Sequence, residues 1–290
     1  MVESMILDGR PIATRIEAKI SMEAKDLENK YGIKPSLHSI VIGNDEVANL
    51  FADIMLQKLK TLNMQGEVHK LPENISEKEV IELLKVLSSK DDVHGIIINV
   101  PVPKKFDKNV LLSNVAIEKD VDGQNPYNLG MLMLGVEDHA PVTPLAVIRI
   151  LDEYNIPLSG KNVCIINRTS VVGKPLAMLL LNRDATVSVC HTKTVNLDEL
   201  TRSSDIIIVA VGKPLFLKEN MVSEKSIVID VGINKYNGKT VGDADFDKLV
   251  DKVKAITPVP GGVGAIKTLI IMERTLKNAQ RILSQSKQVI

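Results

Sequence analysis

The sequence predicts an α/β protein of two domains, each built on a largely parallel sheet. At 290 residues the chain exceeds one average domain, and two domains of roughly 100 to 150 residues are the natural expectation. Short apolar, β-branched runs alternate with segments of helical periodicity in both halves. Such alternation indicates βαβ units, whose right-handed crossovers make neighbouring strands parallel.

Composition favours a small-molecule function. The formal charge is zero, so no global field attracts the chain to nucleic acid or to a membrane surface. Aromatic residues make up 3%, which leaves little material for a base-stacking surface. No apolar run approaches the ~20 residues of a membrane span, and no targeting signal is evident. Cys164 and Cys190 fall within predicted strands, which favours a reduced, cytoplasmic location.

The first half of the chain predicts alternating helices and strands. Ser76 and Glu79 have the spacing of a capping box, and the helix that they start ends near Ser88. Pro144 is expected to open a later helix with Thr143 as its cap. The other predicted elements, in chain order, are a helix over 10–30, a strand over 37–42, a helix over 45–62, strands over 66–71 and 95–100, and a loop over 119–130.

The second half predicts a sheet that is covered on both faces. Continuous apolar strands are expected at 163–166, 185–190, 205–211 and 226–231, with a short one at 255–257. A helix from about Lys267 closes the chain. The predicted domains are therefore residues 1–143, joined by the final helix 267–290, and residues 144–266.

The segment Val163–Pro175 predicts a nucleotide site. A buried strand runs into Asn167, Arg168 and Thr169, and Gly173 then opens an apolar helix whose first N–H groups would face an anion. Asn167 and Thr169 stand where a dinucleotide fingerprint usually has glycine, but asparagine tolerates left-handed backbone angles, so the turn can form. A plain strand-to-helix turn without a ligand would look similar.

The following strand end favours NADP over NAD. An NAD site usually places an acidic residue about 20 residues after the glycine turn, where it holds the ribose 2′-hydroxyl. Here the sequence is Cys190-His191-Thr192-Lys193-Thr194, with no acid. Cations such as Arg168 and Lys193 would favour a 2′-phosphate. The alternative is that His191 and Lys193 only end a strand in solvent.

With these residues in view, the chain resembles the bifunctional methylenetetrahydrofolate dehydrogenase/methenyltetrahydrofolate cyclohydrolase family, the FolD type. The resemblance is nearly full length and collinear. It is carried by Gly95–Pro103, Lys119–Gly123, Asn128–Gly130, Pro141–Pro144, Asn167–Pro175, Cys190–Thr194, Val228–Asn234, Gly242–Asp243 and Thr257–Gly264.

The resemblance implies a homodimer whose subunit binds tetrahydrofolate in a cleft between an N-terminal catalytic domain and a Rossmann domain. No metal site is predicted from the sequence. The resemblance makes Asp122 the carboxylate beside the pterin and Asn99 its neighbour in the reaction. The implied cofactor contacts are Asn167, Arg168, Thr169, Gly173, Thr192 and Ile233. The implied substrate contacts are Phe51, Met55, Val100, Pro101, Gly262 and Val263.

The chain departs from the family in the helix that follows Gly43. The family pattern S-x-x-Y-x-x-x-K falls on Ala48, Phe51 and Met55, so both the tyrosine and the lysine are absent. The family's glutamine before P-L-P is Asn99, and Ala265–Lys267 replaces proline, methionine and threonine. Lys58, on roughly the same helical face as Met55, is a candidate replacement for the lysine, and Lys267 is another.

These departures predict which reaction survives. Hydride transfer from the substrate's methylene carbon mainly needs proximity, whereas hydrolysis of the methenyl product relocates protons and needs acid–base groups. We therefore expect an NADP-dependent dehydrogenase with little cyclohydrolase activity. A catalytically impaired folate- or nucleotide-binding paralogue, acting as a partner or regulator, is the alternative. A Rossmann oxidoreductase with an unrelated substrate would require the N-terminal motifs to be coincidental.

Overall fold

The computed structural model describes residues 4–288, with side chains to residue 285. The strands are β1 (Met5–Ile6), β2 (Ser36–Ile42), β3 (Gln65–Leu71), β4 (Gly95–Ile98), β5 (Asn162–Ile166), β6 (Thr186–Cys190), β7 (Ile206–Val209), β8 (Ile227–Asp230), β9 (Asn234–Tyr236), β10 (Lys239–Val241) and β11 (Ala255–Ile256). The α-helices are α1 (Gly9–Tyr31), α2 (Glu46–Thr61), α3 (Glu77–Ser89), α4 (Lys108–Ser113), α5 (Pro126–Met133), α6 (Val142–Glu153), α7 (Gly173–Leu181), α8 (Leu197–Arg202), α9 (Phe246–Leu249) and α10 (Val263–Gln288).

The chain divides into two compact units. The six-strand unit contains residues 4–14 and 132–267, and the three-strand unit contains residues 15–131 and 268–288. Residues 132–143, placed by the sequence analysis in the N-terminal domain, belong to the six-strand unit in this division. So do residues 4–14, because β1 pairs with β11.

The three-strand unit contains a parallel sheet in the order β3-β2-β4. Because successive residues of a strand point to opposite faces, β2 meets a different helix on each side. Val41 packs with Ala48 and Ala52 of α2. Ile40 and Ile42 share the other face with the apolar residues of α3. The sheet is thus covered on both sides.

The six-strand unit contains a parallel sheet in the order β1-β11-β8-β7-β5-β6. The central strands are entirely buried, and β7 carries three isoleucines and a valine with no exposed surface. From β5 the chain passes to β6 on one side and then to β7 on the other. This reversal of strand order is where open α/β sheets form a ligand crevice.

The predicted α/β fold with parallel sheets is confirmed, while several boundaries are wrong. Thr143 does not cap α6: the helix begins at Val142 after Pro141, and Thr143 lies buried inside it. The predicted loop 119–130 contains the start of α5, where Pro126 takes the first helical position that suits proline. Helix α10 begins at Val263 rather than at Lys267.

Among residues 4–288, no helix combines the length and apolarity needed to span a bilayer. Cys164 and Cys190 lie buried on adjacent strands with their sulfur atoms 3.5 Å apart, and both are free thiols. Burial strongly raises the pKa of the Cys164 thiol, which therefore stays protonated at neutral pH. Both cysteines are core residues, as the sequence predicts.

Candidate active site

The loop after β5 is shaped by the side chain of Asn167. Its Oδ1 accepts hydrogen bonds from the backbone N–H of Thr169 (2.8 Å), the Thr169 hydroxyl (2.8 Å) and the backbone N–H of Gly173 (2.9 Å). Its Nδ2 donates to the carbonyl of Ala210, just after β7, over 2.6 Å. One amide side chain therefore closes the turn and joins the ends of two strands.

Asn167 closes the turn through its side chain and not through its backbone. It does not use the left-handed backbone angles that asparagine tolerates, because Asn167 is absent from the positive-φ residues of the described chain. Gly173 is required for a different reason: a Cβ there would lie 2.0 Å from the Asn167 carbonyl oxygen. The strand and the helix approach too closely for any side chain.

The free backbone donors of this loop lie two and three residues before Gly173, the predicted helix start. The N–H groups of Val172 and Gly173 are bonded to the side chains of Thr169 and Asn167. Within the described chain, the N–H groups of Ser170 and Val171 make no hydrogen bond. These two donors, next to the positive end of α7, are the ones available to an anion.

A cavity of about 500 Å³ opens beyond the carboxyl ends of β5, β6 and β7. None of the residues that line it is acidic, and Arg168 and Lys213 contribute positive charge. Lys213 was not predicted, and Lys193 is not among the lining residues. The lining residues are Ile166, Asn167, Arg168, Cys190, His191, Thr192, Thr194, Leu197, Ala210, Val211, Lys213 and Phe216.

The strand end after β6 forms a tight, internally bonded turn. The backbone N–H of His191 donates to the Thr194 hydroxyl over 2.8 Å, and the N–H of Lys193 donates to the His191 ring over 3.1 Å. The turn exposes Thr192 at the cavity wall. The structure thus brings Thr192 together with Asn167 and Arg168.

A second cavity of the same unit, about 330 Å³, lies on the other side of the β7 end. Ala210 lines both cavities. Ile233, a predicted cofactor contact, lines the second one and is 67% exposed. Val263 lines it as well, whereas Gly262 lines a smaller neighbouring cavity of about 230 Å³.

Two buried carboxylates, missed by the sequence analysis, hold the loops around these cavities. Asp243 accepts the backbone N–H groups of Val211, Gly212 and Lys213 at 2.5–2.9 Å. Asp230, at the end of β8, accepts those of Gly232, Asp243 and Ala244 at 2.8–3.0 Å. Burial raises the pKa of Asp230 to about 7, although the three N–H bonds oppose this. The sequence signal that could have identified Asp230 is an acidic residue at the end of an otherwise apolar strand.

In the three-strand unit, Asn99 follows β4 and is almost completely buried. Its Nδ2 donates to the Ser39 hydroxyl (2.6 Å) and to the Ile40 carbonyl (3.0 Å). Its Oδ1 is buried without a hydrogen-bond partner. A buried acceptor left unpaired costs about 1–3 kcal/mol, so this oxygen is a natural contact for a ligand donor.

Asp122 lies half-buried on a loop that is fixed by Asp120. The loop runs alongside β4 through a parallel bridge between Ile96 and Asp120. Asp120 accepts the backbone N–H groups of Gly123 (3.0 Å) and Asn125 (2.7 Å), and burial raises its pKa. Asp122 itself accepts a hydrogen bond from the Gln124 side chain. Asn99 and Asp122 therefore both follow segments that run to the carboxyl end of the same sheet.

Helix α2 carries Ala48, Phe51 and Met55, which the resemblance aligns with the pattern S-x-x-Y-x-x-x-K. Ala48 and Met55 are buried, and Phe51 is half-buried. The ammonium group of Lys58 forms an ion pair with Glu17 of α1.

The remaining predicted contacts lie on two proline-bearing segments, one in each unit. Val100 is 47% exposed and precedes Pro101 through a cis peptide bond. In the six-strand unit, Gly262 and Val263 are buried after the cis peptide between Val259 and Pro260. Their role as substrate contacts stays a prediction.

Comparison with known proteins identifies the family. Residues 7–122 match the model described as tetrahydrofolate dehydrogenase/cyclohydrolase, catalytic domain, and residues 141–283 match the NAD(P)-binding domain of the same family. The bifunctional protein FolD of Nitratiruptor sp. is 41% identical over 276 residues, which cover 95% of this chain and 98% of that protein.

Solved structures agree. FolD from Campylobacter jejuni, a methylenetetrahydrofolate dehydrogenase/cyclohydrolase, is 39% identical with a TM-score of 0.93, covering 96% of this chain and 99% of that one. The Trypanosoma brucei enzyme complexed with NADP cofactor and inhibitor is 30% identical with a TM-score of 0.91, covering 97% and 99%. The chain is therefore a member of the tetrahydrofolate dehydrogenase/cyclohydrolase family, with that family's catalytic and NAD(P)-binding domains.

Proposed function

We propose that the protein is an NADP-dependent 5,10-methylenetetrahydrofolate dehydrogenase with weak cyclohydrolase activity. The observation that carries the cofactor preference is the 500 Å³ cavity with no acidic lining residue. A carboxylate would repel a 2′-phosphate, whereas Arg168 and Lys213 attract one. When bound, NADP accepts a hydride at its nicotinamide ring.

The residues of the six-strand unit bind and orient the cofactor. Arg168 and Thr192, which line the larger cavity, would hold the adenosine end, while Asn167, Thr169 and Gly173 keep the loop closed. The free N–H groups of Ser170 and Val171 would be donors for the pyrophosphate. Ile233, which lines the 330 Å³ cavity, would contact the nicotinamide end.

In the three-strand unit, Asp122 and Asn99 bind the pterin. A half-buried carboxylate suits the amino and ring N–H donors of such a heterocycle, and the unpaired Oδ1 of Asn99 accepts one more. Phe51 and Met55 supply apolar contacts beside the ring. Val100, Pro101, Gly262 and Val263 complete the proposed substrate contacts.

The residues of helix α2 are the reason why we expect weak cyclohydrolase activity. Phe51 lacks the hydroxyl and Met55 the amine with which the family pattern would move protons, and Lys58 is paired with Glu17. A general acid–base group contributes typically ~10²- to 10⁴-fold, so its loss lowers hydrolysis by that order. Dehydrogenation, which depends on positioning, is affected less.

A spectrophotometric assay tests the proposal. We expect oxidation of methylenetetrahydrofolate with NADP to exceed that with NAD, and to exceed hydrolysis of methenyltetrahydrofolate. Arg168→Gln should lower kcat/KM for NADP roughly tenfold, since one charge-assisted contact contributes about 1.5–3 kcal/mol. The kcat/KM for NAD, which has no 2′-phosphate, should stay unchanged. Lys225→Gln, an equal charge change at an exposed lysine outside the cavity, is the control.

The binding-paralogue alternative is not favoured, because the close relatives are named as bifunctional enzymes. Absence of any turnover with both cofactors would nevertheless support it against our proposal. We further propose a homodimer, as the family resemblance implies, and a cytoplasmic location, which the two free cysteines favour. Sedimentation of the purified protein as a monomer would contradict the dimer.

A further inference from the structure

Two histidines and a glutamate meet on the sheet of the three-strand unit, where the proposed reaction does not use them. His38 of β2 lies opposite Glu67 of β3, and His69 follows two residues later on the same face of β3. His38 Nδ1 and His69 Nε2 are 2.8 Å apart, with the rings stacked at 20°. One ligand atom from each of the three side chains lies within 4.8 Å of the others.

We propose that His38, His69 and Glu67 form a binding site for one divalent transition-metal ion of the zinc type. Two imidazole nitrogens and one carboxylate oxygen are a ligand set that zinc accepts, with the fourth position left to water. Mg²⁺ and Ca²⁺ prefer sets composed of oxygen ligands, so the site discriminates against them.

The required movement is small. Two nitrogens bound to zinc at ~2.0–2.1 Å with a tetrahedral angle lie about 3.3 Å apart. The observed 2.8 Å separation, now bridged by a shared proton, must therefore open by about 0.5 Å. The Glu67 side chain is 64% exposed and lies 3.6 Å from His69 Nδ1, so it is free to rotate onto the ion as the third ligand.

The charge state and the scaffold favour binding. Burial lowers the pKa of His38, and the neighbouring His69 acts in the same direction, so the ring is a neutral ligand at neutral pH. Both histidines stand on strands that are paired over seven residues, which preorganises the ligands.

The site is separate from the proposed reaction. His38 and Ser39 are consecutive in β2 and therefore point to opposite faces, and Ser39 is the residue that contacts Asn99. The ion would clamp β2 to β3 and stabilise the folded chain rather than enter catalysis. Its detection therefore needs no activity measurement and is independent of the proposed function.

Metal-free wild-type protein, titrated with Zn²⁺ in a calorimeter, tests the site. We expect one ion per chain with Kd at or below about 10 μM, and visible absorption of four-coordinate Co²⁺ as a second signal. Zinc at about 100 times Kd should raise Tm by roughly 5 °C. Absence of saturable binding, or a lowered Tm, would overturn the proposal.

Variants assign the ligands. His38→Gln and His69→Gln should each weaken zinc binding by more than ~100-fold, and Glu67→Gln by about 10-fold or more. Glu67→Gln changes an exposed side chain and so preserves the fold, which circular dichroism checks for all three. His191→Gln and Glu224→Gln, in the six-strand unit, are matched controls that keep wild-type affinity. Unchanged affinity in Glu67→Gln or in either histidine variant would refute the three-ligand site.

Discussion

The Oδ1 atom of Asn167 accepts the backbone N–H of Gly173 over 2.9 Å, so one asparagine side chain takes over turn formation in a loop that lacks most of the usual glycines. The same side chain bonds Thr169 and the Ala210 carbonyl. The loop is therefore sensitive to this one residue.

Asn167→Ala should weaken cofactor binding more than it weakens folding. The variant loses the acceptor for three donors and the link to Ala210, so the loop is no longer held in its binding shape. We expect Kd for NADP to rise about 10- to 100-fold, which corresponds to about 1.4–2.8 kcal/mol. Fluorescence titration measures it. Asn182→Ala, at the opposite end of α7, is the control; a wild-type Kd for Asn167→Ala would contradict the proposed role.

Restoring the family residues on α2 should restore hydrolysis. In Phe51→Tyr/Met55→Lys the new lysine lies in a position without exposed surface, so burial lowers its pKa toward the range of a useful base. We expect hydrolysis of methenyltetrahydrofolate to rise at least ~10-fold relative to dehydrogenation. Phe51→Tyr alone is the comparison. An unchanged ratio in a folded double variant would show that other residues limit hydrolysis.

Lys58 should prove structural. Because it pairs with Glu17, Lys58→Gln and Glu17→Gln should lower stability equally, by about 0.2–1 kcal/mol, and leave both enzymatic rates within twofold. Urea unfolding and the two assays measure this. Selective loss of hydrolysis in Lys58→Gln, with Glu17→Gln unaffected, would instead make Lys58 the replacement for the family lysine.

Asp120 and Asp122 should separate into different roles. Asp120→Asn loses acceptor capacity for the loop N–H groups, so we expect lower Tm together with weaker folate binding. Asp122→Asn should raise KM for the folate substrate with Tm nearly unchanged, because its side chain bonds only Gln124 among the described residues. Equal Tm losses in both variants would contradict this assignment.

Asp230 makes stability fall as pH rises. Its pKa is about 7 in the folded protein and near 3.8 when unfolded, so between these values the folded state holds a proton that the unfolded state has lost. The contribution is present at low pH and is lost toward pH 7, at no more than about 1.4 kcal/mol per pH unit. Asp230→Asn should flatten that slope in urea unfolding from pH 4.5 to 7; a parallel slope would contradict it.

The sequence predicts those features that local pattern controls. Alternating apolar runs locate β2, β5 and β7, and the capping box of Ser76 and Glu79 is formed. The sequence analysis missed the start of α5 and placed the start of α6 too late. In both helices the first turn contains proline, and the same residues also fit a loop. The pairs Asn167–Ala210 and Asn99–Ser39 join residues 43 and 60 positions apart, and no local pattern contains that information.

A close backbone contact between Gly9 and the loop at Gly261 and Gly262 indicates which neighbouring side chains can be substituted. The Gly9 N–H donates to the Gly261 carbonyl over 2.8 Å, and a Cβ on Gly9 would lie 2.3 Å from the Gly262 carbonyl oxygen. Main-chain atoms alone make this contact. The side chains of Ala265 and Lys267, which follow the loop, can change without altering its path, so these two positions are natural places to redesign substrate preference. Ile266 between them is buried in the core, and Gly9 tolerates no substitution.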